Sequence, residues 1–234
     1  MIIGMGTPDE VVSAAKKAMR VYGVASFKVK IGRSVRDDIL TICALRDAIP
    51  QATICPDANQ GYTFNDATTF LEGTIHCNLA WVEEPCSAGN LIGKARAASM
   101  SRTPFLGDES CTSVREVVTE VLDDRSSMIS IKLARTGIVE SLRIRDFCSA
   151  VGIGVIVGSQ GESALGTFAS VAFAAAVPST VRFPSELGYF VELDGSICAN
   201  DPIIENGRMR VPDVPGFGAE IDLARLEQYR YQTP

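Results

Sequence analysis

The sequence predicts an α/β protein: a closed (β/α)7β barrel of eight parallel strands, followed by an irregular C-terminal extension. Three observations predict it. Short β-rich runs alternate with longer helical patterns, and such alternation means βαβ units with parallel strands. The unit recurs with a period in the mid-twenties, and eight of them suit the chain's 234 residues. No G-x-G-x-x-G follows the first strand and no G-x-x-x-x-G-K-[ST] occurs, which disfavours the nucleotide-binding open sheets.

The predicted strands are Ile2–Gly4, Phe27–Ile31, Thr53–Pro56, Leu79–Val82, Pro104–Gly107, Met128–Leu133, Gly154–Gly158 and Thr180–Pro184. The first helix spans Pro8–Val21, with Val11, Val12, Ala15 and Ala18 at helical spacing. Ser34, with Asp37 three residues on, reads as a capping box. It opens a helix that turns Ile39, Ile42, Cys43, Leu45 and Ala48 inward. Asn65, Asn90 and Ser113 are the expected N-caps of later helices. The longest apolar stretch, Ala164–Val177, is too short to cross a membrane and reads as a buried helix. The tail from Glu186 contains VPDVPGFG and reads as an irregular wrap ending in a short helix at Leu223–Tyr229. The expected division is a TIM-like barrel over 1–190 and an extension over 191–234 packed on it.

Composition narrows the function. At 46% hydrophobic the chain can bury a sizeable core. A net charge of −6 without any basic run speaks against nucleic acid. The seven cysteines are odd in number, scattered and free of C-x-x-C, which argues for a reducing cytosol and against a disulfide or zinc framework. The start, MIIGMGTPDE, has no signal-peptide pattern. The expected location is cytoplasmic, with no membrane partner.

The ends of the strands carry the chemistry, since barrel active sites sit there. Lys28 and Lys30 end the second, Asp57 and Asn59 the third, and Glu83 and Glu84 the fourth. Asp108 and Glu109 end the fifth, and Lys132 the sixth. From Lys30 the steps are 27 to Asp57, 26 to Glu83, 25 to Asp108 and 24 to Lys132. One structural position therefore reads cation, anion, anion, anion, cation. A lone strand-end Asp is more often a helix N-cap, and Glu84 alone reads as solvated surface; the register speaks against chance. Three converging carboxylates repel unless a cation sits between them. Hard oxygens without His or Cys select Mg2+ or Mn2+. A lysine beside such a cation and another lysine is expected to lose its proton more readily. A metal between two lysines suits proton transfer at a carbon next to a carboxylate, the metal holding the enediolate.

The motifs K-x-K, D-x-N, E-x-P, D-E and I-K-L, in this order, resemble the barrel domain of the enolase superfamily, most closely its muconate lactonizing (muconate cycloisomerase-like) subgroup. That resemblance implies a Mg2+-dependent isomerase with a lysine base, acting on a small carboxylate, and an oligomeric assembly. It implies metal ligands at Asp57, Glu83 and Asp108, and an acid/base pair at Lys30 and Lys132. It places Lys28 under the substrate carboxylate, Asn59 and Glu109 in support, and Glu162, in GSQGES, near the substrate. The single histidine, His76, lies before the fourth strand at the opposite end, which counts against the His–Asp dyad of the mandelate racemase branch. FPSEL at the eighth strand lacks the D-x-D of dipeptide epimerases, although it contains Glu186.

Family members begin with an α+β capping domain, whereas Met1 here opens directly into the first strand. The capping domain is expected to be absent, or to be a separate partner. The same residues serve a racemase, epimerase or dehydratase. A Schiff-base aldolase using Lys132 leaves the carboxylates unexplained. A truncated, non-catalytic barrel would keep the metal site without turnover.

Overall fold

The computed structural model describes residues 1–178 and 182–230. Seven parallel strands lie in sequence order in one sheet: β1 (Ile2–Ile3), β2 (Ser26–Lys30), β3 (Thr53–Asp57), β4 (Val82–Glu83), β5 (Phe105–Gly107), β6 (Met128–Ile131) and β7 (Gly154–Val157). Each is followed by a helix: α1 (Pro8–Tyr22), α2 (Val35–Ala48), α3 (Phe64–Gly73), α4 (Leu91–Met100), α5 (Val114–Leu122), α6 (Leu133–Val151) and α7 (Ala164–Ala175). After them come a hairpin, β8 (Ile204–Glu205) with β9 (Arg208–Met209), and a short helix α8 (Leu223–Gln228). No helix among the described residues is long and apolar enough to cross a membrane.

Helix starts follow the local chemistry. Thr7 caps α1 in a capping box with Glu10, and Pro8 occupies the first turn, where its missing N–H costs nothing. Ser34 caps α2 by accepting from Asp37 N, but Asp37 does not return the bond. Asp38 reaches back instead to Gly32 N at 2.9 Å. Asn90 and Ser113 cap α4 and α5 as expected. The third helix is capped by Thr63, not Asn65. Thr63 and Asp66 form a reciprocal box, which satisfies two free donors where Asn65 would satisfy one.

The strand pattern has period two and sorts residues into two layers. Phe27, Val29 and Ile54 lie under α1 and α2, while Ile129, Ile131, Val155 and Val157 lie under α5 to α7. The alternate positions form a separate inner cluster of Cys55, Trp81, Leu106, Met128 and Ile156. Two residues further along these strands stand Asp57, Glu83, Asp108 and Ser130. Charge therefore sits directly above an apolar floor.

Three boundaries differ from expectation. The fourth strand is Val82–Glu83 rather than Leu79–Val82, although Ala80 N still donates to Ile54 O at 3.0 Å. The sixth stops at Ile131, because Lys132 already serves as the N-cap of α6. Of the eighth strand expected at Thr180–Pro184, Thr180 and Val181 lie outside the described residues, and Arg182–Pro184 form no strand. Beyond them Glu186 N donates to Val157 O of β7 at 2.8 Å. All seven cysteines are free thiols. The β8–β9 hairpin was not expected. Asn206 and Gly207 form its turn with φ of 51° and 74°, and Gly207 N donates to Tyr22 O at the end of α1.

Gly32, just beyond β2, has φ of 108°, and a Cβ there would lie 2.5 Å from Ala58 O. Gly32→Ala is expected to destabilise the fold by about 2 kcal/mol, read as a lowered urea midpoint with unchanged slope.

Candidate active site

Strand register builds the centre. Lys30 on β2 is level with Asp57 on β3, and Asp57 is level with Glu83 on β4. Lys28 lies two residues back on the same face of β2. Its Nζ donates to Glu83 Oε1 at 2.6 Å and Glu186 Oε2 at 2.9 Å, and lies 2.9 Å from Asp57 Oδ2. Lys30 Nζ donates to Asp57 Oδ2 at 2.7 Å and Asn59 Oδ1 at 2.6 Å. Asn59 Nδ2 donates to Glu109 Oε1 at 2.8 Å, joining the loops after β3 and β5. On the far side Lys132 pairs with Asp108 Oδ2, and Arg135 Nη1 donates to Asp108 Oδ1 at 2.7 Å.

Asp57, Glu83 and Asp108 are completely buried, and Lys28 and Lys132 nearly so. Lys30 is the open lysine, its side chain 28% exposed. Glu162, in the loop after β7, accepts from Ser159 Oγ and from Gln160 N at 2.8 Å. His76 lies exposed in a 3-10 turn at Ile75–Cys77, before β4.

The electrostatics are uneven. Burial pushes the Glu83 carboxyl up, Lys28 pulls it down, and Glu186, Asp57 and Asp108 push it up again, so it stays well above the ordinary range. Burial also opposes ionisation of Asp57, but Lys28 and Lys30 outweigh it and hold that carboxyl below its ordinary value. Burial opposes ionisation of Asp108 too, yet Lys132, Arg135 and Lys28 bring it down to about 2. For Lys28 burial favours the neutral amine, but Glu186, Glu83, Asp57 and Asp108 outweigh it and hold the ammonium well above its usual value. One ammonium cannot offset three touching carboxylates, and Glu83 carries the shortfall.

As placed, the carboxylates are turned to ammonium and guanidinium groups, and among the described residues no cluster of His, Cys, Asp or Glu is set to hold a metal ion. Their chemistry nonetheless fits a hard divalent cation. The three donors are hard oxygens, and Glu83 Oε2 is buried without a partner.

Sequence reasoning missed three members. Arg135 follows the sixth-strand lysine at i+3, a spacing that puts it on the first turn of α6. Glu186 is buried against Lys28 rather than merely counting for a different substrate. Glu84, placed with Glu83 at the strand end but given no role there, is completely buried and pairs with Lys94 of α4 at 2.9 Å, which rules out the alternative of solvated surface.

A parallel α/β fold with buried carboxylates and lysines at the carboxyl ends of its strands defines a barrel-type protein whose site sits at one mouth. The Enolase C-terminal domain-like family matches residues 10–225, and the chain belongs to that family. It is 29% identical over 228 residues to o-succinylbenzoate synthase of Geobacillus kaustophilus, covering 95% of this chain and 58% of the relative. It is 28% identical to N-succinyl-L-Arg/Lys racemase of Bacillus cereus, covering 97% and 61%. The muconate cycloisomerase structure from Pseudomonas fluorescens superposes with a TM-score of 0.92 at 26% identity, covering 99% of this chain and 64% of that one. The chain thus spans about 60% of the length of such relatives.

Two outcomes follow for stability. Asp108 has a folded value of about 2 against an ordinary 3.8, so its contribution is present above about pH 4 and lost as pH falls towards 2. It amounts to about 2 kcal/mol, and Asp108→Asn is expected to flatten the pH 4 to 2 limb of a denaturation series. Glu83 has the opposite sign. Its folded value is raised, so it costs stability as pH rises above 4.5. Glu83→Gln in EDTA at pH 8 is expected to raise the Tm by several degrees.

Proposed function

We propose that this chain is the barrel part of a divalent-metal-dependent isomerase, muconate cycloisomerase-like, that handles a proton alpha to a substrate carboxylate. One observation carries the reading: Lys30 and Lys132 stand at opposite ends of a single arc of buried carboxylates, Asp57, Glu83 and Asp108. Family membership supports it, and so do relatives named for o-succinylbenzoate, N-succinyl-L-Arg/Lys and muconate, which are carboxylic acids or their derivatives.

Asp57, Glu83 and Asp108 would hold the metal, Mg2+ or Mn2+. When bound, it supplies positive charge for the substrate carboxylate as the alpha proton leaves. Lys30 is the accessible amine, and Asn59 and Asp57 fix where its nitrogen sits. Lys132 is held from the other side by Asp108, so the two amines address opposite faces of a planar carbon. Lys28 stays an ammonium and keeps the floor of the site cationic. The apolar layer of Trp81, Leu106, Met128 and Ile156 below keeps water out from underneath. Glu186, bonded to β7 and paired with Lys28 of β2, ties the two sides of the barrel together, and the extension over 191–234 is read as packing outside it.

The test is solvent exchange. In D2O with Mg2+, the chain is incubated with muconate, N-succinyl-L-arginine and L-Ala-L-Glu, and deuterium at the alpha carbon is followed by NMR. Exchange is expected on at least one of these, lost in EDTA, and lowered by roughly 10²–10⁴ in Lys30→Met and in Lys132→Met. Exchange undiminished by EDTA sinks the proposal.

A further inference from the structure

The proposed chemistry leaves Glu84 unused, yet it is the most constrained acid in the molecule. It is completely buried, and its backbone sits at φ of 36°. Residues other than glycine keep that conformation only where the surroundings hold it. Each of its polar groups reaches a different neighbour. Its N–H donates to Leu106 O of β5 at 3.1 Å, and its carbonyl accepts from Gln60 N, in the loop after β3, at 2.8 Å. Carboxylate Oε1 accepts from Asp108 N at 2.7 Å, Ser110 N at 2.9 Å and Ser110 Oγ at 2.5 Å. Oε2 accepts from Lys94 Nζ at 2.9 Å.

Lys94 is itself buried and also pairs with Glu120, which takes Arg125 Nε at 2.8 Å. Charges therefore alternate in sign from Glu84 through Lys94 and Glu120 to Arg125, which also meets the half-exposed Asp123. This chain compensates the Glu84 charge away from the mouth and leaves Oε1 free to take the three donors of the β5 loop. A residue that served only to neutralise Lys94 would need neither the left-handed backbone nor three donors from the next loop.

We propose that Glu84 is the positioning residue of the site: it fixes the spacing of the three successive loops that present Asp57, Glu83 and Asp108. The inference rests on the reading of those three carboxylates as metal ligands. It acts through backbone amides, so its readout is separable from metal binding.

Residue-resolved amide hydrogen exchange and Mn2+ titration, followed by electron paramagnetic resonance, are measured on the wild-type chain, Glu84→Ala and Glu84→Gln. In Glu84→Ala the Asp108 and Ser110 amides are expected to exchange at least tenfold faster while β2 amides keep their rates. Mn2+ affinity falls at least tenfold. Glu84→Gln keeps an acceptor oxygen at the same place, so it shows a smaller, several-fold change at the same two amides and recovers most of the affinity. Wild-type rates at Asp108 and Ser110 in Glu84→Ala overturn the proposal, as they do in Glu84→Gln if only that variant folds. A uniform rise across the barrel overturns it as well, since that marks lost stability alone. A wild-type chain that does not bind Mn2+, with the two amides still selectively released by Glu84→Ala, counts against the metal reading and for the positioning role.

Discussion

The Lys28 ammonium lies within 2.9 Å of carboxylates from Asp57, Glu83 and Glu186, and the rest of the centre is arranged around that contact. A buried charge is tolerable only when paired, and removing one partner leaves the others exposed to the full cost of desolvation. Lys28 is therefore what permits three acids to share one dry interior. It does not balance them. Lys30 reaches Asp57 from the open side, while Glu83 keeps one oxygen without a partner. The protein carries a standing demand for positive charge at the carboxyl ends of its strands.

The two-layer interior explains why that demand is held so firmly. Period-two alternation places Cys55, Trp81, Leu106 and Met128 beneath Asp57, Glu83, Asp108 and Ser130, one residue pair per strand. The apolar floor lowers the local dielectric, so both the repulsion among the acids and their attraction to cations are stronger than at a surface. Fold and site are one arrangement seen at two heights along the same strands.

The ring is legible in the amino-acid sequence because the barrel repeats a structural position at every unit. Steps of 24 to 27 residues put Lys30, Asp57, Glu83, Asp108 and Lys132 at the ends of successive strands, but only Lys30, Asp57 and Glu83 share a rung of the sheet. Glu83 is level with Leu106 and Leu106 with Met128, so Asp108 stands two residues further along and Lys132 four. Interactions between units are not legible in that way. A lysine in the middle of α4 reads as surface, and nothing local says that Lys94 will turn inward to meet Glu84 and Glu120. Thr63 and Asn65 both offer a cap, and only the return bond from Asp66 decides between them. Likeness to a family carries positions and not rotamers, and the bond by which the Glu162 side chain closes its own turn is of that second kind. The Asn206–Gly207 turn did carry a signal, an Asn-Gly pair between short apolar runs, hidden in a tail otherwise rich in Pro and Gly.

Among the described residues the parallel strands bond to their sequence neighbours, which makes nearly every contact of that sheet a short-loop contact. The pair of Lys28 with Glu186 is different. It joins residues 158 apart, whereas Lys30 with Asp57 spans 27. Closing the longer loop costs about 1.5 kcal/mol more chain entropy. The sheet can thus be laid down strand by strand from the amino terminus, with Lys30, Asp57 and Glu83 already side by side. Only the return of Glu186 gives Lys28 its last partner, so the order in which the chain is made is also the order in which its buried charges find one another.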